Sequence, residues 1–193
     1  MAVAGLALPR ANLPAVLARI AAIPAPEGGF RESEVKWNTT KTWNLEHRKC
    51  LASLLNERLA HFHIRFADSA YDHDGPRKRI GTVSKMFYQL LLHRAVRHYG
   101  TEYKMVIRPD DGPCAEELKG FSTVLLIDGQ HRYGAHPECI QDVVCANSER
   151  EPMLQLLDVT MGALTALKND RHLCQGASAA KCQSVRECPT VHL

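Results

Sequence analysis

The most constraining feature of the sequence is an almost uninterrupted apolar stretch from Ser148 to Leu167. Pro152 suits the first turn of a helix, because its missing N–H would have no intrahelical partner there. From Met153 onward the residues are apolar on nearly every side, which is the pattern of a helix buried in a domain. The stretch therefore predicts a buried helix against which the rest of the chain packs.

A narrow polar stripe interrupts this predicted helix. Four residues recur at helical spacing and share one face: Gln155, Asp158, Gly162 and Thr165. A carboxylate on a buried helix is costly unless it is paired, hydrogen-bonded or bound to a metal. Two interpretations of Asp158 follow. It either meets a neighbouring backbone group or an arginine, or it is a metal ligand that faces a cleft.

The composition is typical of a soluble globular protein. The 193 residues are 45% hydrophobic and 23% charged, which favours one domain with one core. No apolar run is long enough to cross a membrane, and the N-terminus lacks the basic start of a secretory signal. Seven cysteines without regular spacing indicate reduced thiols. We therefore expect a cytoplasmic protein with no membrane partner.

A stretch of one charge sign lies between Pro76 and Thr101, where the sequence has no acidic residue. It contains six lysines and arginines: Arg77, Lys78, Arg79, Lys85, Arg94 and Arg97. Such a stretch is either a solvated helix face or a surface that binds a polyanion. The second interpretation makes nucleic acid the expected partner.

The periodicity of the remaining chain predicts alternating strands and helices. Strands are predicted at Ala2–Pro9, Glu34–Trp37, His63–Ala67, Tyr103–Arg108 and Ile140–Cys145. Helices are predicted at Asn12–Ile23, capped by Asn12, at Asn44–Phe62 and after Gly75. Ser122–Ile127 fits either a strand or the end of a helix begun near Ala115. Gly129–Arg132 is polar, which fits a segment that contacts a partner and fits equally a loop after an apolar run. This order favours an α/β layer fold with a mixed sheet, followed after Asn169 by an irregular tail.

Four pieces of the sequence carry a resemblance to a known family. In chain order they are Glu34–Trp37, Phe87–Leu91, the acidic strand end at Asp110, and Ser148–Asp158. Together they resemble the prokaryotic domain of unknown function numbered 3800, and the similarity extends from Val3 to about Asn169. That family is regarded as RNase H-like. The resemblance thus implies a single RNase H-like domain over residues 1–169, with a mixed sheet and flanking helices, and a tail over residues 170–193.

The resemblance implies a carboxylate site shared with RNase H-like nucleases. Glu34 matches the acid before the lysine-tryptophan pair, and Asp158 matches the acid of the last helix. Asp110 matches the acid at the strand end, with Asp111 as a close competitor. Such carboxylates hold Mg²⁺ or Mn²⁺, which stabilise the attacking and leaving oxygens of a phosphodiester.

Three further residues have supporting roles in this interpretation. Lys36 either steadies a phosphate or is a surface lysine at a sheet edge. Ser148 and Gln155 match the polar residues of the last block, and Gln155 is expected to orient Asp158. Trp37 is expected to pack inside the protein and not to stack on a base.

The family's first strand ends in an Asp-Glu-Ser-Gly motif, whereas this chain starts where the second strand is expected. One metal would then be underligated, so we expect weak or absent cleavage by the chain as given. Two functions are therefore weighed. One is a metal-dependent nuclease acting on nucleic acid phosphodiesters. The other is a non-catalytic subunit of a mobile-element or phage-defence system, which binds nucleic acid, a protein partner or a second copy of itself.

Overall fold

A computed structural model describes residues 1–24, 35–37, 44–66, 76–112 and 114–174, together with positions 179, 182 and 185. The strands are β1 (Ala2–Ala7), β2 (His61–Phe66), β3 (Met105–Ile107) and β4 (Ile140–Val143). The helices are α1 (Leu13–Ala21), α2 (Asn44–Asn56), α3 (Pro76–Leu90), α4 (Arg97–Tyr99), α5 (Ala115–Tyr133) and α6 (Pro152–Lys168). A π-helical segment, Leu91–Val96, joins α3 to α4. The α/β class predicted from the sequence is confirmed.

The described strands form two separate pairs, β1 with β2 and β3 with β4. β3 and β4 are parallel, with Met105 opposite Ile140 and Ile107 opposite Val143. At its described residues the predicted strand Glu34–Trp37 is not formed, because Val35 and Lys36 lie outside regular structure and Trp37 lies in a 3₁₀ turn. Within the described ranges the strands are therefore paired and do not form one mixed sheet. The RNase H-like arrangement stays a prediction.

The chain divides into two compact units. Unit 1 comprises Met1–Gly5 and His63–Asn147, and unit 2 comprises Leu6–Phe62 and Ser148–Leu193. In the part of the chain that the structure describes, no helix combines the length and apolarity needed to cross a membrane. The predicted single domain over residues 1–169 and tail over residues 170–193 stay predictions.

In unit 2, helices α1, α2 and α6 pack around one apolar core. Its buried members are Val16, Ile20, Ile23, Leu51, Leu54 and Leu156. The predicted helix Asn44–Phe62 ends early, at Asn56. The reason is a turn in which Arg58 adopts a left-handed φ of 56° and the N–H of Leu59 reaches the carbonyl of Leu54. Asn12 does not cap α1 with its side chain, which donates to the Leu59 carbonyl at 3.0 Å.

In unit 1, α5 packs against α3, the π segment and β4. The core there consists of Leu92, Val96, Leu125, Ala135, Cys139 and Ile140. Because α5 runs to Tyr133, the helix alternative for Ser122–Ile127 is right and the loop alternative for Gly129–Arg132 is wrong. The β-branched residues that suggested a strand, Val124 and Ile127, are 48% and 60% exposed on the solvent side of this helix.

Candidate functional site

Gln155 organises the turn that precedes α6. Its Nε2 donates to the carbonyl oxygens of Ser148, at 2.8 Å, and Glu149, at 3.1 Å. Its Oε1 accepts the backbone N–H of Val35 at 3.3 Å. One side chain therefore joins the start of the helix to a segment 120 positions earlier in the chain. Asp158 binds the same short segment two residues further along, at Trp37.

Asp158 binds this segment directly. Its Oδ2 accepts the backbone N–H of Trp37 at 2.7 Å, and its side chain is half-buried. Of the two interpretations of Asp158, the hydrogen bond to a neighbouring backbone is observed. An ionised carboxylate has about four lone-pair sites, so this bond is compatible with a second role as a metal ligand.

The third residue of the stripe, Gly162, lies against the Trp37 side chain. A Cβ atom added to Gly162 would lie 2.1 Å from Cγ and 2.5 Å from Cβ of Trp37. Both distances are far inside van der Waals contact, so only glycine admits the tryptophan here. We call Gln155, Asp158 and Gly162 the docking face, and Val35–Trp37 the docked segment. The half-buried Trp37 therefore packs against α6.

The other residues predicted for this region have different positions. Lys36 is exposed, and Ser148 contributes its backbone carbonyl to Gln155. Glu34 lies outside the described residues. Within the ranges that the structure describes, there is no group of three or more His, Cys, Asp or Glu side chains arranged to hold a metal. Of Glu34 and Asp158, the two acids predicted for this region, the structure therefore describes Asp158.

Asp110 and Asp111 follow β3 in unit 1, and both are exposed. Asp110 forms a parallel bridge with Ala146, and the N–H of Asp111 donates to the Ala146 carbonyl at 3.1 Å. The two acids therefore lie at the carboxyl ends of two parallel strands, where open α/β sheets place their ligand sites. They belong to unit 1, whereas Asp158 and the docked segment belong to unit 2.

The predicted basic stretch is helical from Pro76 to Tyr99. α3 carries Arg77, Lys78 and Arg79, whose side chains lie outside the described atoms, and Lys85, which is exposed. Arg94 in the π segment and Arg97 in α4 are also exposed. Three of the predicted nucleic-acid contacts therefore stand on the surface of unit 1.

Sequence analysis missed a set of polar contacts between these helices and α5. The Tyr88 hydroxyl donates to Oδ2 of Asp128, and Nδ1 of His93 shares a hydrogen bond with the Tyr133 hydroxyl. Burial and the bond to Asp128 raise the pKa of Tyr88 to about 12. Burial, reinforced by nearby arginines, lowers the pKa of His93. No periodic signal marks these pairs, because each joins residues 40 positions apart on different helices.

Comparison with known proteins finds no matching family model, no matching curated protein and no matching solved structure. The resemblance to the domain of unknown function numbered 3800 therefore stays a prediction, and the function has to be argued from the residues.

Replacing Gln155 with glutamate should destabilise the protein although the two side chains have nearly the same shape. A carboxylate cannot donate to the carbonyls of Ser148 and Glu149, and it adds a like charge one turn from Asp158. We expect the free energy of unfolding to fall by about 1–3 kcal/mol, measured by urea denaturation at neutral pH.

A pH series provides the control for this substitution. Protonation returns one donor to the introduced carboxyl, so folding favours its protonated form and raises its pKa. The loss of stability should therefore shrink as the pH falls through that raised pKa. The exposed change Gln130→Glu on α5 should have a much smaller effect. Equal effects of the two substitutions would contradict the hydrogen bonds assigned to Gln155.

Proposed function

We propose that the chain is a metal-dependent, nuclease-like protein of RNase H-like fold that acts on nucleic acid phosphodiesters, with Asp158 as a ligand of its cation. One observation carries the proposal. The two most specific pieces of the family resemblance meet through the bonds Val35–Gln155 and Trp37–Asp158. Glu34 directly precedes Val35 in the sequence. A site that uses both Glu34 and Asp158 requires the segment after Glu34 to lie against α6.

The chemistry of these donors fits a hard divalent cation. Mg²⁺ prefers oxygen ligands, is often held by one or two carboxylates and keeps several waters. Asp158 offers a half-buried carboxylate whose orientation is set by the Trp37 N–H, and ligating carboxylates are commonly held by such hydrogen bonds. When bound, Mg²⁺ or Mn²⁺ would supply the positive charge that stabilises the attacking oxygen and the leaving oxygen in cleavage of a phosphodiester.

The neighbouring residues complete the proposal. Gln155 fixes the docked segment, so that Asp158 and Trp37 keep their relative positions. The exposed Lys36 lies between the two anchored residues and contacts a phosphate of the substrate. Asp110 and Asp111 belong to unit 1, after β3, and are candidate cation ligands there on the family resemblance.

A cleavage assay tests the proposal. Labelled DNA and RNA, single- and double-stranded, are incubated with the chain and Mg²⁺ or Mn²⁺, and in parallel with a chelator. We expect metal-dependent cleavage that Asp158→Asn abolishes, a loss beyond the roughly 10–100-fold typical of residues that only support a ligand. Asn keeps an acceptor for the Trp37 N–H, so the docked segment should stay in place.

The matched control is Asp170→Asn, just beyond the C-terminus of α6. Asp170 is exposed and adopts a left-handed φ of 51°, which asparagine tolerates well. This control should cleave like the wild-type chain. Cleavage that survives Asp158→Asn would refute the assignment of Asp158. Separate Asp110→Asn and Asp111→Asn variants decide between the two acids after β3.

A second function is favoured by the same hydrogen bond. Because Asp158 binds the Trp37 N–H, its carboxylate has a structural use even without a metal. The chain would be a non-catalytic binding subunit if it bound nucleic acid through its exposed basic residues but cleaved none in the presence of Mg²⁺ or Mn²⁺. That result would replace the nuclease proposal.

A further inference from the structure

The π-helical segment Leu91–Val96 turns its polar residues towards the end of α5. Its apolar residues Leu92 and Val96 are buried, whereas His93 is half-buried and Arg94 is exposed. π-helical turns are rare and frequently occur at functional sites. The contacts of its polar side chains are therefore of functional interest.

His93 and Tyr133 form the centre of this region. Nδ1 of His93 is hydrogen-bonded to the Tyr133 hydroxyl, and the two rings meet edge to face at 6.1 Å. The guanidinium of Arg97 lies over the Tyr133 ring, 5.8 Å from its centre. Arg132 precedes Tyr133 in the last turn of α5. One cation, Arg97, is thus held against the Tyr133 ring, and a second, Arg132, is its neighbour in the chain.

β2 brings a further arginine to the same region. Nε2 of His63 is hydrogen-bonded to the Tyr99 hydroxyl of α4 at 2.9 Å, and its ring stacks on that of His98. Arg65 lies two residues along the strand, so it projects from the same face as His63. Arg65 is exposed. The charge of Arg65, with those of Arg132, Arg97 and Arg94, adds to burial in lowering the pKa of His93.

Within the described residues, none of these four arginines forms an ion pair. Asp128, one turn before Arg132, accepts the Tyr88 hydroxyl instead. Four arginines from four elements, β2, the π segment, α4 and α5, thus lie near one histidine, and none of them is paired with a carboxylate that the structure describes. Such a concentration of positive charge attracts an anion from solution, and guanidinium forks match phosphate oxygens in geometry.

We propose that these side chains form a phosphate-binding patch that holds the backbone of a nucleic acid: Arg65, Arg94, Arg97 and Arg132. The inference rests on the proposed function only for the class of ligand, because it concerns binding and not cleavage. Two tyrosines suit a chain of nucleotides better than an isolated anion: the half-buried Tyr133, and Tyr103, which is 55% exposed and meets the Tyr99 ring edge to face.

The test measures binding of a short labelled oligonucleotide at several salt concentrations, without divalent metal. Arg65→Gln and Arg132→Gln are chosen because neither lies in the basic stretch of the sequence. Each should weaken binding roughly tenfold and reduce the salt dependence by about one phosphate contact. Arg132→Lys keeps the charge but loses the planar fork, so it should retain the salt dependence and lose part of the affinity.

The matched controls are Arg10→Gln and Arg150→Gln, which remove one positive charge from exposed positions in unit 2. They should bind like the wild-type chain. Circular dichroism confirms that each variant is folded. Equal weakening by controls and patch variants, or no weakening by the patch variants, would overturn the proposal.

Inorganic phosphate and a mononucleoside monophosphate distinguish the two sources of phosphate. If the patch holds a nucleic acid backbone, neither compound should displace the labelled oligonucleotide when the total ionic strength is held constant. Tight binding of either compound, lost in Arg132→Gln, would assign the patch to free phosphate or a small phosphate ester and overturn the backbone proposal. The binding assay contains no divalent metal and varies residues of unit 1, whereas the cleavage assay varies Asp158 of unit 2. Failure of the patch and failure of the cation site are therefore separate outcomes.

Discussion

Gly162→Ala should release Trp37 from α6. The new Cβ would lie 2.1 Å from Cγ of Trp37, and overpacking of this kind costs about 1–3 kcal/mol. Alanine gains about 0.5–1 kcal/mol over glycine inside a helix, so the clash outweighs the gain. We expect lower stability and a red-shifted Trp37 emission, measured in a Trp43→Phe chain in which Trp37 is the one remaining tryptophan.

Gly120→Ala is the matched control, because Gly120 is an exposed helical glycine with nothing within 4 Å of an added Cβ. It should stabilise the chain by about 0.5–1 kcal/mol and leave the emission of Trp37 unchanged. If Gly162→Ala behaved in the same way, the docking face would not hold Trp37 as described.

Gly129→Ala should have the second large effect, in unit 1. The added Cβ would lie 2.5 Å from Cγ1 of Val96 and 3.4 Å from Cβ of Ala135. Val96 has no exposed surface, and its short branched side chain has little freedom to move aside. We expect the free energy of unfolding to fall by about 1–3 kcal/mol, measured by urea denaturation.

Two comparisons show whether this effect is local. Gly120→Ala lies on the same helix and should stabilise the chain, so helix propensity cannot explain a loss at Gly129. The native emission of Trp37 should not change, because Gly129 belongs to unit 1 and the docked segment to unit 2. A Gly129→Ala chain as stable as the wild type would contradict the close packing of α5 on the π segment.

Long periodic stretches of the sequence were enough to predict several elements. The apolar run after Pro152 is α6, and the helix predicted from Asn44 is α2, which supplies the buried Leu51 and Leu54. Short or ambiguous stretches were harder. The alternation Glu34–Trp37 suggested a strand, but side chains of α6 take the N–H groups of Val35 and Trp37. Hydrogen bonds to distant side chains leave no trace in local periodicity.

The same limit applies to the candidate sites. Helical spacing was sufficient to place Gln155, Asp158 and Gly162 on one face, but the segment that binds this face lies about 120 positions away. The polarity of that face therefore predicted a contact without identifying its partner. Two arginines of the proposed phosphate-binding patch, Arg94 and Arg97, lie in the basic stretch. Arg65 and Arg132 come from a strand and a helix outside it, so sequence alone did not point to them.

The central claim, that Asp158 binds a cation beside Trp37, can be measured directly with Tb³⁺, a hard cation that takes oxygen ligands like Mg²⁺. Light absorbed by Trp37 in the Trp43→Phe chain should sensitise Tb³⁺ emission that saturates and is displaced by Mg²⁺ or Mn²⁺. Asp158→Asn should abolish this emission while the fluorescence of Trp37 shows that the docked segment is still in place. Sensitised emission that is absent from the parent chain, or that persists in Asp158→Asn, would contradict the claim.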